Sequence, residues 1–415
     1  MGDARHPRFA IPHMAAAARE SPWRDDLDFP LFITLMLHCV VVHAVISLAR
    51  VTITYRTIEL DLSIVWLGAI ATGFSLVPIF AAVTLGRFID RGHDCVAAWI
   101  GAGFMVLACG GLWLWPNSAI HLLVWSIILG VGQLFSMAAQ QVIAVRCAGP
   151  RRREWVFGYF MVAIGVGQGL GPAVLSVFGG PAALPPTHVL FTFALGGAIL
   201  AQVVAFALRP APKAKTKSGP ETRVPLTELL RTHGMFAALG ASVITVTAFE
   251  LLVIYLPLLG TERHIDTRDI GLLLAVRSLI SILSRTFYVR LIEVFGRVQL
   301  MLVCLLTGAG AFALLGLPTS LPVMYAAVGA IGFGLGIAAT LTFSEVVLIA
   351  PHDARATALS LRITGNRLGQ VLLPFLGSFL ATVAGAGGVL LVTAAMLAAS
   401  GVAVRVSLRD HGEEE

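Results

Sequence analysis

The stretch "RPAPKAKTKSGPETRVPLTE", residues 209–228, holds every lysine of the chain and four of its prolines. A polar, proline-containing interruption of this kind reads as a linker. Working outward from it, six apolar runs precede it, at about residues 31–51, 62–85, 95–115, 119–144, 156–178 and 187–208. Six more follow, at about 233–259, 268–289, 298–316, 320–348, 357–382 and 385–406. Each is near the ~20 residues that a helix needs to cross a hydrocarbon core of ~30 Å. With 57% hydrophobic residues, 13% charged residues and a mean hydropathy of +0.86, the chain lies far from soluble composition. The expected fold is an all-α membrane protein of twelve transmembrane helices in two pseudo-symmetric six-helix bundles. The divisions are a tail at 1–29, a first bundle at 30–208, a linker at 209–230, a second bundle at 231–406 and a tail at 407–415.

Residues 1–29 are polar and arginine-bearing, unlike a secretory leader, so the N-terminus is expected to stay on the side of synthesis. Of the 29 Lys and Arg, 21 fall in segments that would then be cytoplasmic, and only Arg56, Arg263 and Arg268 on the far side. This bias predicts both termini in the cytoplasm, in an inner (plasma) membrane of bacterial type. The net charge of +6 thus reflects topology rather than a nucleic-acid footprint. Cys39, Cys95, Cys109, Cys147 and Cys304 lack metal-ligand spacing and read as packing residues, so neither a metal nor another cofactor is expected.

An offset of about 202 residues brings the halves into partial register. Gly167, Gln168 and Pro172 meet Gly369, Gln370 and Pro374, and "RFID" at 87–90 meets "RLIE" at 290–293 within one residue. Duplicated halves of this kind are a hallmark of secondary transporters.

The loop "GRFIDRGHD", residues 86–94, resembles the G-x-x-x-D-[RK]-x-G-[RK]-[RK] loop of the major facilitator superfamily, through Gly86, Asp90 and Arg91. Gly92 comes one residue early for that motif, and His93–Asp94 then stands where the family has a basic pair. The resemblance covers all twelve spans and implies a gating role for this loop, in which Asp90 latches against a helix N-terminus of the other half. A short turn that keeps positive charge inside is the competing reading. In span 5, Gly158, Gly167, Gly171 and Pro172 are similar to the G-x8-G-x3-G-P spacing of the family's proton antiporters, which implies export. There the alternatives are a pivot between halves and plain helix packing.

Ionised side chains inside spans cost at least ~2.5–3.5 kcal/mol on insertion scales and need partners or water. Counted at the helical rise, Glu250, Arg277 and Arg367 fall into one central layer, about 12–15 Å from a span end. One carboxylate for two guanidiniums leaves room for an anion, with the Asn366 amide beside it. Glu250 is the carboxylate placed to couple protons. Arg285, Arg362 and Glu345 lie nearer the cytoplasmic side and have the composition of a salt-bridge gate, or of a structural network. In the first half, Gln133, Ser136 and Gln140 share one helical face, with Gln168, His38 and His43 on neighbouring spans. They could orient a polar substrate or form a hydrogen-bond seam, and His43 could carry a proton or simply pack. Arg277 and Arg367 resemble in position the basic residues on spans 8 and 11 of oxalate- and carboxylate-transporting members of the superfamily.

The expected function is proton-coupled transport of a small organic, anionic solute by a monomer in the bilayer. The alternative is a broad-specificity drug/proton antiporter whose arginines are structural. An enzyme is not expected, because no phosphate-cradling loop, metal cluster or nucleophile motif occurs. A transporter-like receptor is the other class, though no soluble signalling domain is expected here; uptake of labelled solute into proteoliposomes separates the two.

Overall fold

The computed structural model describes residues 27–149, 152–209, 229–230, 232–351 and 354–408. Nearly all of the 209–228 stretch that divides the sequence lies outside these residues, as do most of both tails. The first half contains α1 (Phe29–Glu59), α2 (Ile64–Asp90), α3 (Asp94–Leu114), α4 (Ala119–Arg146), α5 (Arg153–Phe178) and α6 (Thr187–Phe206). The second contains α7 (Met235–Glu262), α8 (Thr267–Ser284), α9 (Tyr288–Phe295), α10 (Arg297–Gly316), α11 (Leu321–Ile349) and α12 (Arg355–Leu408).

These runs are helical because a helix satisfies its own backbone polar groups where no water can. Their starts carry recognisable caps. The Asp28 carboxylate accepts from the Leu31 amide with Pro30 in the first turn, and the Ser118 hydroxyl accepts from the His121 amide.

Two spans depart from single straight helices. The eighth bends by 65° between α8 and α9. The eleventh and twelfth run together in the 54-residue α12, broken at Gly385, whose φ of 63° suits a residue without a side chain. There the Glu262 carboxylate accepts from the Ala386 amide at 3.0 Å and so caps the second arm of α12. With α8–α9 taken as one bent span and α12 as two, the helices provide the twelve crossings expected.

The duplication is visible in the packing. In the first half α5 lies on α1, and a Cβ on Gly167 would meet the Val40 carbonyl at 2.5 Å. In the second half α12 lies on α7, and a Cβ on Gly369 would meet Thr247 at 2.6 Å. The halves join through two matching contacts. Gly271 of α8 sits where a Cβ would be 2.7 Å from the Pro172 carbonyl, and Gly68 of α2 sits at the same 2.7 Å from that of Pro374. Pro172 cannot donate to the Gln168 carbonyl, and Ser47 of α1 supplies the missing bond at 3.0 Å. Gly167 and Gly171 therefore seat α5 on α1 within one half, while Pro172 touches the other half. Gly158 is exposed with open space around it, so close helix approach does not explain it.

Each half also fastens its third helix to its fourth by an ion pair, with the charges exchanged. Asp94 at the start of α3 meets Arg146 at the end of α4 at 2.7 Å, and Arg297 at the start of α10 meets Glu345 of α11 at 3.6 Å. Asp94 is buried, so breaking its pair leaves an uncompensated charge, which typically costs ~3–5 kcal/mol. Arg146→Ala, which strips buried Asp94 of its partner, should lower the detergent-solubilised protein's thermal midpoint by several degrees, whereas the same change at exposed Arg91 should leave it nearly unmoved.

Candidate functional site

A cavity of about 360 Å³ lies between the halves at mid-depth. Seven of the residues expected to bind substrate or protons line it: His43, Gln133, Gln168, Glu250, Arg277, Asn366 and Arg367. Arg285, expected in a gate, also lines it.

The side chain that sequence reasoning passed over is Arg50. Its Nη1 meets Glu250 Oε2 at 2.5 Å, so the first helix of each half contributes one member of an ion pair that joins them. Arg50 lay at the end of an apolar run at 31–51, but α1 continues to Glu59 through buried Thr52, Thr54 and Thr57. Nine further residues of helix move Arg50 about 13 Å inward from the span end. The signal was the β-branched stretch after Arg50, which carries no charge until Arg56.

Around this pair the contacts continue in a chain. Gln370 Nε2 donates to Glu250 Oε1 at 3.4 Å, and Arg367 Nη1 donates to Gln370 Oε1 at 3.3 Å. Arg277, 6% exposed, donates from Nη2 to Ser278 Oγ at 2.9 Å, while its Nε has no hydrogen-bond partner among the described residues. Phe249 lies 5.2 Å from the Arg277 guanidinium and Phe74 4.5 Å from that of Arg50, so both rings supply cation–π contacts. Gly332 lets α11 approach α8 at this level, because a Cβ there would fall 2.5 Å from the Arg277 carbonyl. Among the described residues, neither Arg277 nor Arg367 has a carboxylate within ion-pair distance, and the guanidiniums of Arg50, Arg277 and Arg367, with Arg285 further along the lining, face Glu250 as the cavity's carboxylate.

The other expected site residues stand elsewhere. Gln140 is buried against α1, where its Nε2 lies 3.1 Å from His38 Nδ1, and Ser136 is buried against Gly101 of α3. Of the face shared by Gln133, Ser136 and Gln140, only Gln133 reaches the cavity, because Ser136 packs on α3 and Gln140 on α1. His43 Nδ1 lies 2.9 Å from the Cys39 carbonyl. Asn366 Oδ1 accepts from Ser242 at 3.1 Å, so its acceptor is already engaged.

The expected gate of Arg285, Arg362 and Glu345 is not assembled in this conformation. Glu345 is held by Arg297, and Arg362 donates to the Ala339 carbonyl at 3.4 Å with Phe343 beneath it at 5.3 Å. Gly86, Asp90 and Arg91 are exposed at the end of α2, and Asp90 makes no ion pair among the described residues. In that loop Asp94 is the carboxylate with a partner.

The halves also bond to each other towards the ends of α1 and α7. Thr267 at the start of α8 donates through its amide and hydroxyl to the Ala182 carbonyl, at 2.9 and 2.7 Å, and Thr72 of α2 donates to the Val371 carbonyl of α12 at 2.9 Å. The cavity lining reaches the other way, to Met161, Arg285 and Ile363.

Two duplicated helical bundles enclosing one charged mid-depth cavity define a membrane transporter of the two-domain type. The chain belongs to the Major Facilitator Superfamily, whose family model matches residues 35–265 and 238–415. The nucleoside transporter NupG superposes with a TM-score of 0.72 at 13% identity, covering 91% of this chain and 99% of that one. The D-xylose-proton symporter gives 0.73 at 14% identity, with 91% and 97% covered. The human organic anion transporter MFSD10 (TETRAN) gives 0.62 at 16% identity, with 91% and 98% covered. At these identities the likeness is one of fold. A search of curated proteins finds no significant match to the sequence.

Proposed function

We propose that this chain is a proton-coupled secondary transporter that carries a small organic anion, of carboxylate type, by alternating access. The observation that carries the reading is the surplus of charge: Arg50, Arg277 and Arg367 share one cavity with Glu250 as their carboxylate. Placing guanidiniums at mid-depth is costly, and a bound carboxylate offers each planar fork two parallel hydrogen bonds. That an organic anion transporter and a proton symporter share the fold is compatible with this, but the charge of this cavity is the argument.

The ion pair suggests how coupling works. An arriving carboxylate competes with Glu250 for Arg50, and a proton on Glu250 neutralises the displaced side chain. Once the pair parts, α1 and α7 lose the bond that holds the two bundles together at this depth, and the far side is free to open. Arg277 and Arg367 hold the anion, and Gln370 keeps Glu250 and Arg367 in register. The bundles at 30–208 and 231–406 are the moving bodies, with the monomer as the working unit.

The basic-residue bias puts both termini in the cytoplasm of a bacterial-type inner membrane. In that orientation the conformation faces inward. A reporter fused after Lys217 or at Glu415 should be cytoplasmic, and one at Pro116 or Thr319 exported. An exported reporter at Lys217 would overturn the orientation and the division at the linker together.

Transport itself is tested by uptake of labelled organic acids into proteoliposomes under an imposed pH gradient. Accumulation of cationic or lipophilic drugs with none of organic acids would replace this reading with the drug antiporter.

A further inference from the structure

The cavity is not uniformly polar: its charges cluster at depth, while a group of apolar side chains gathers nearer the mouth beside Ser281 and Arg285. At ~1.5 Å per residue, Glu250 and Gln370 stand about 22 Å from the starts of α7 and α12, whereas Met161 and Ile363 stand only about 12 Å from the starts of α5 and α12. Met137 lies about 14 Å from the end of α4 by the same rise. The charged cluster thus forms the deep end, flanked by the Phe74 and Phe249 rings. About 6–10 Å nearer the mouth, the apolar side chains of Met137, Met161, Ile164, Ile282 and Ile363 converge from four helices on the cavity. Arg285 stands at the mouth among them, placed to attract an anion rather than to hold it at depth.

We infer that the solute is an amphipathic monocarboxylate, with its carboxylate on the deep arginines and an aryl or branched apolar body lying along the methionine and isoleucine collar. This rests on the organic-anion reading above and sharpens it. A short dicarboxylate would bring its second charge up against apolar side chains about 6–8 Å from the Arg367 and Arg277 guanidiniums, or crowd both charges at one end and leave the collar unfilled. An apolar body of that length covers the collar and withdraws its own surface from water there. Methionines suit such a role because their unbranched, polarisable side chains adapt to bodies of different outline.

The test uses the purified full-length protein and four probes: 4-phenylbutyrate, butyrate, succinate and 4-phenylbutyramide. Thermal stabilisation is read against probe concentration, and competition for uptake is read in proteoliposomes. The phenyl ring should lower the half-effective concentration about tenfold or more relative to butyrate, since a ring largely withdrawn from water is worth at least that factor. Succinate should resemble butyrate, and the amide, which has the same body without the charge, should be about tenfold weaker than the acid. Ile363→Ser, at a half-exposed position where folding is not at stake, should shrink the ratio of 4-phenylbutyrate to butyrate about threefold. Equal potency of butyrate, succinate and 4-phenylbutyrate would overturn the inference while leaving the organic-anion reading in place. Equal potency of amide and acid would overturn the organic-anion reading itself, and no response to any of the four would overturn both.

Discussion

Glu250→Gln should abolish movement of organic acid driven by a pH gradient, while exchange of labelled for unlabelled solute continues within about threefold of the parent rate. Glutamine keeps the size and one acceptor of the side chain, but it neither takes up a proton at physiological pH nor neutralises Arg50. The Arg50 guanidinium borders a cavity rather than a dry core, with 14% of its side chain exposed, so water or the anion itself can solvate it once the pair is gone. The mutant should therefore fold and bind its anion at least as well as the parent, since the cavity has lost its negative charge. Measured in proteoliposomes with the gradient imposed in each direction, the accumulation ratio should fall to unity. A mutant that still concentrates solute as the parent does would move the coupling role elsewhere, with His43, which also lines the cavity, next in line.

Changes at Arg277 should separate charge from shape. Arg277→Lys keeps a cation but loses the planar fork and its stacking on Phe249, so affinity for organic acids should fall about tenfold or more. Arg277→Ala should do more harm still. No carboxylate lies within ion-pair distance of Arg277 among the described residues, and its one hydrogen bond is to the neighbouring Ser278. Its removal therefore leaves no buried charge newly unpaired, so the thermal midpoint of the Ala variant should stay within a few degrees of the parent. Equal loss of transport for organic acids, neutral compounds and cations in a folded Arg277→Lys protein would reject Arg277 as the anion anchor and favour a drug antiporter.

The number of spans, the division into halves and the bias of basic residues were all present in the sequence, and for one physical reason. In hydrocarbon every backbone group must be satisfied within its own helix, so about 20 apolar residues imply a crossing whatever surrounds them. Even the duplication was legible, because prolines and glycines that shape a helix act locally, as Pro172 and Pro374 do. Partners were another matter. A membrane helix meets lipid on one side and equally apolar protein on the other, so its periodicity does not say which face points inward. Depth grouped Glu250 with Arg277 and Arg367, yet it is Arg50 that grips Glu250, from a helix that runs past its apolar run to Glu59. Depth likewise grouped Glu345 with Arg285 and Arg362, while the fold gave it to Arg297, and it drew Asp94, seemingly a misfit in its loop motif, to Arg146. Which charges share a layer is set by counting along the chain; which of them meet is decided by the rotation of each helix about its axis, and only the packing of all twelve spans determines that.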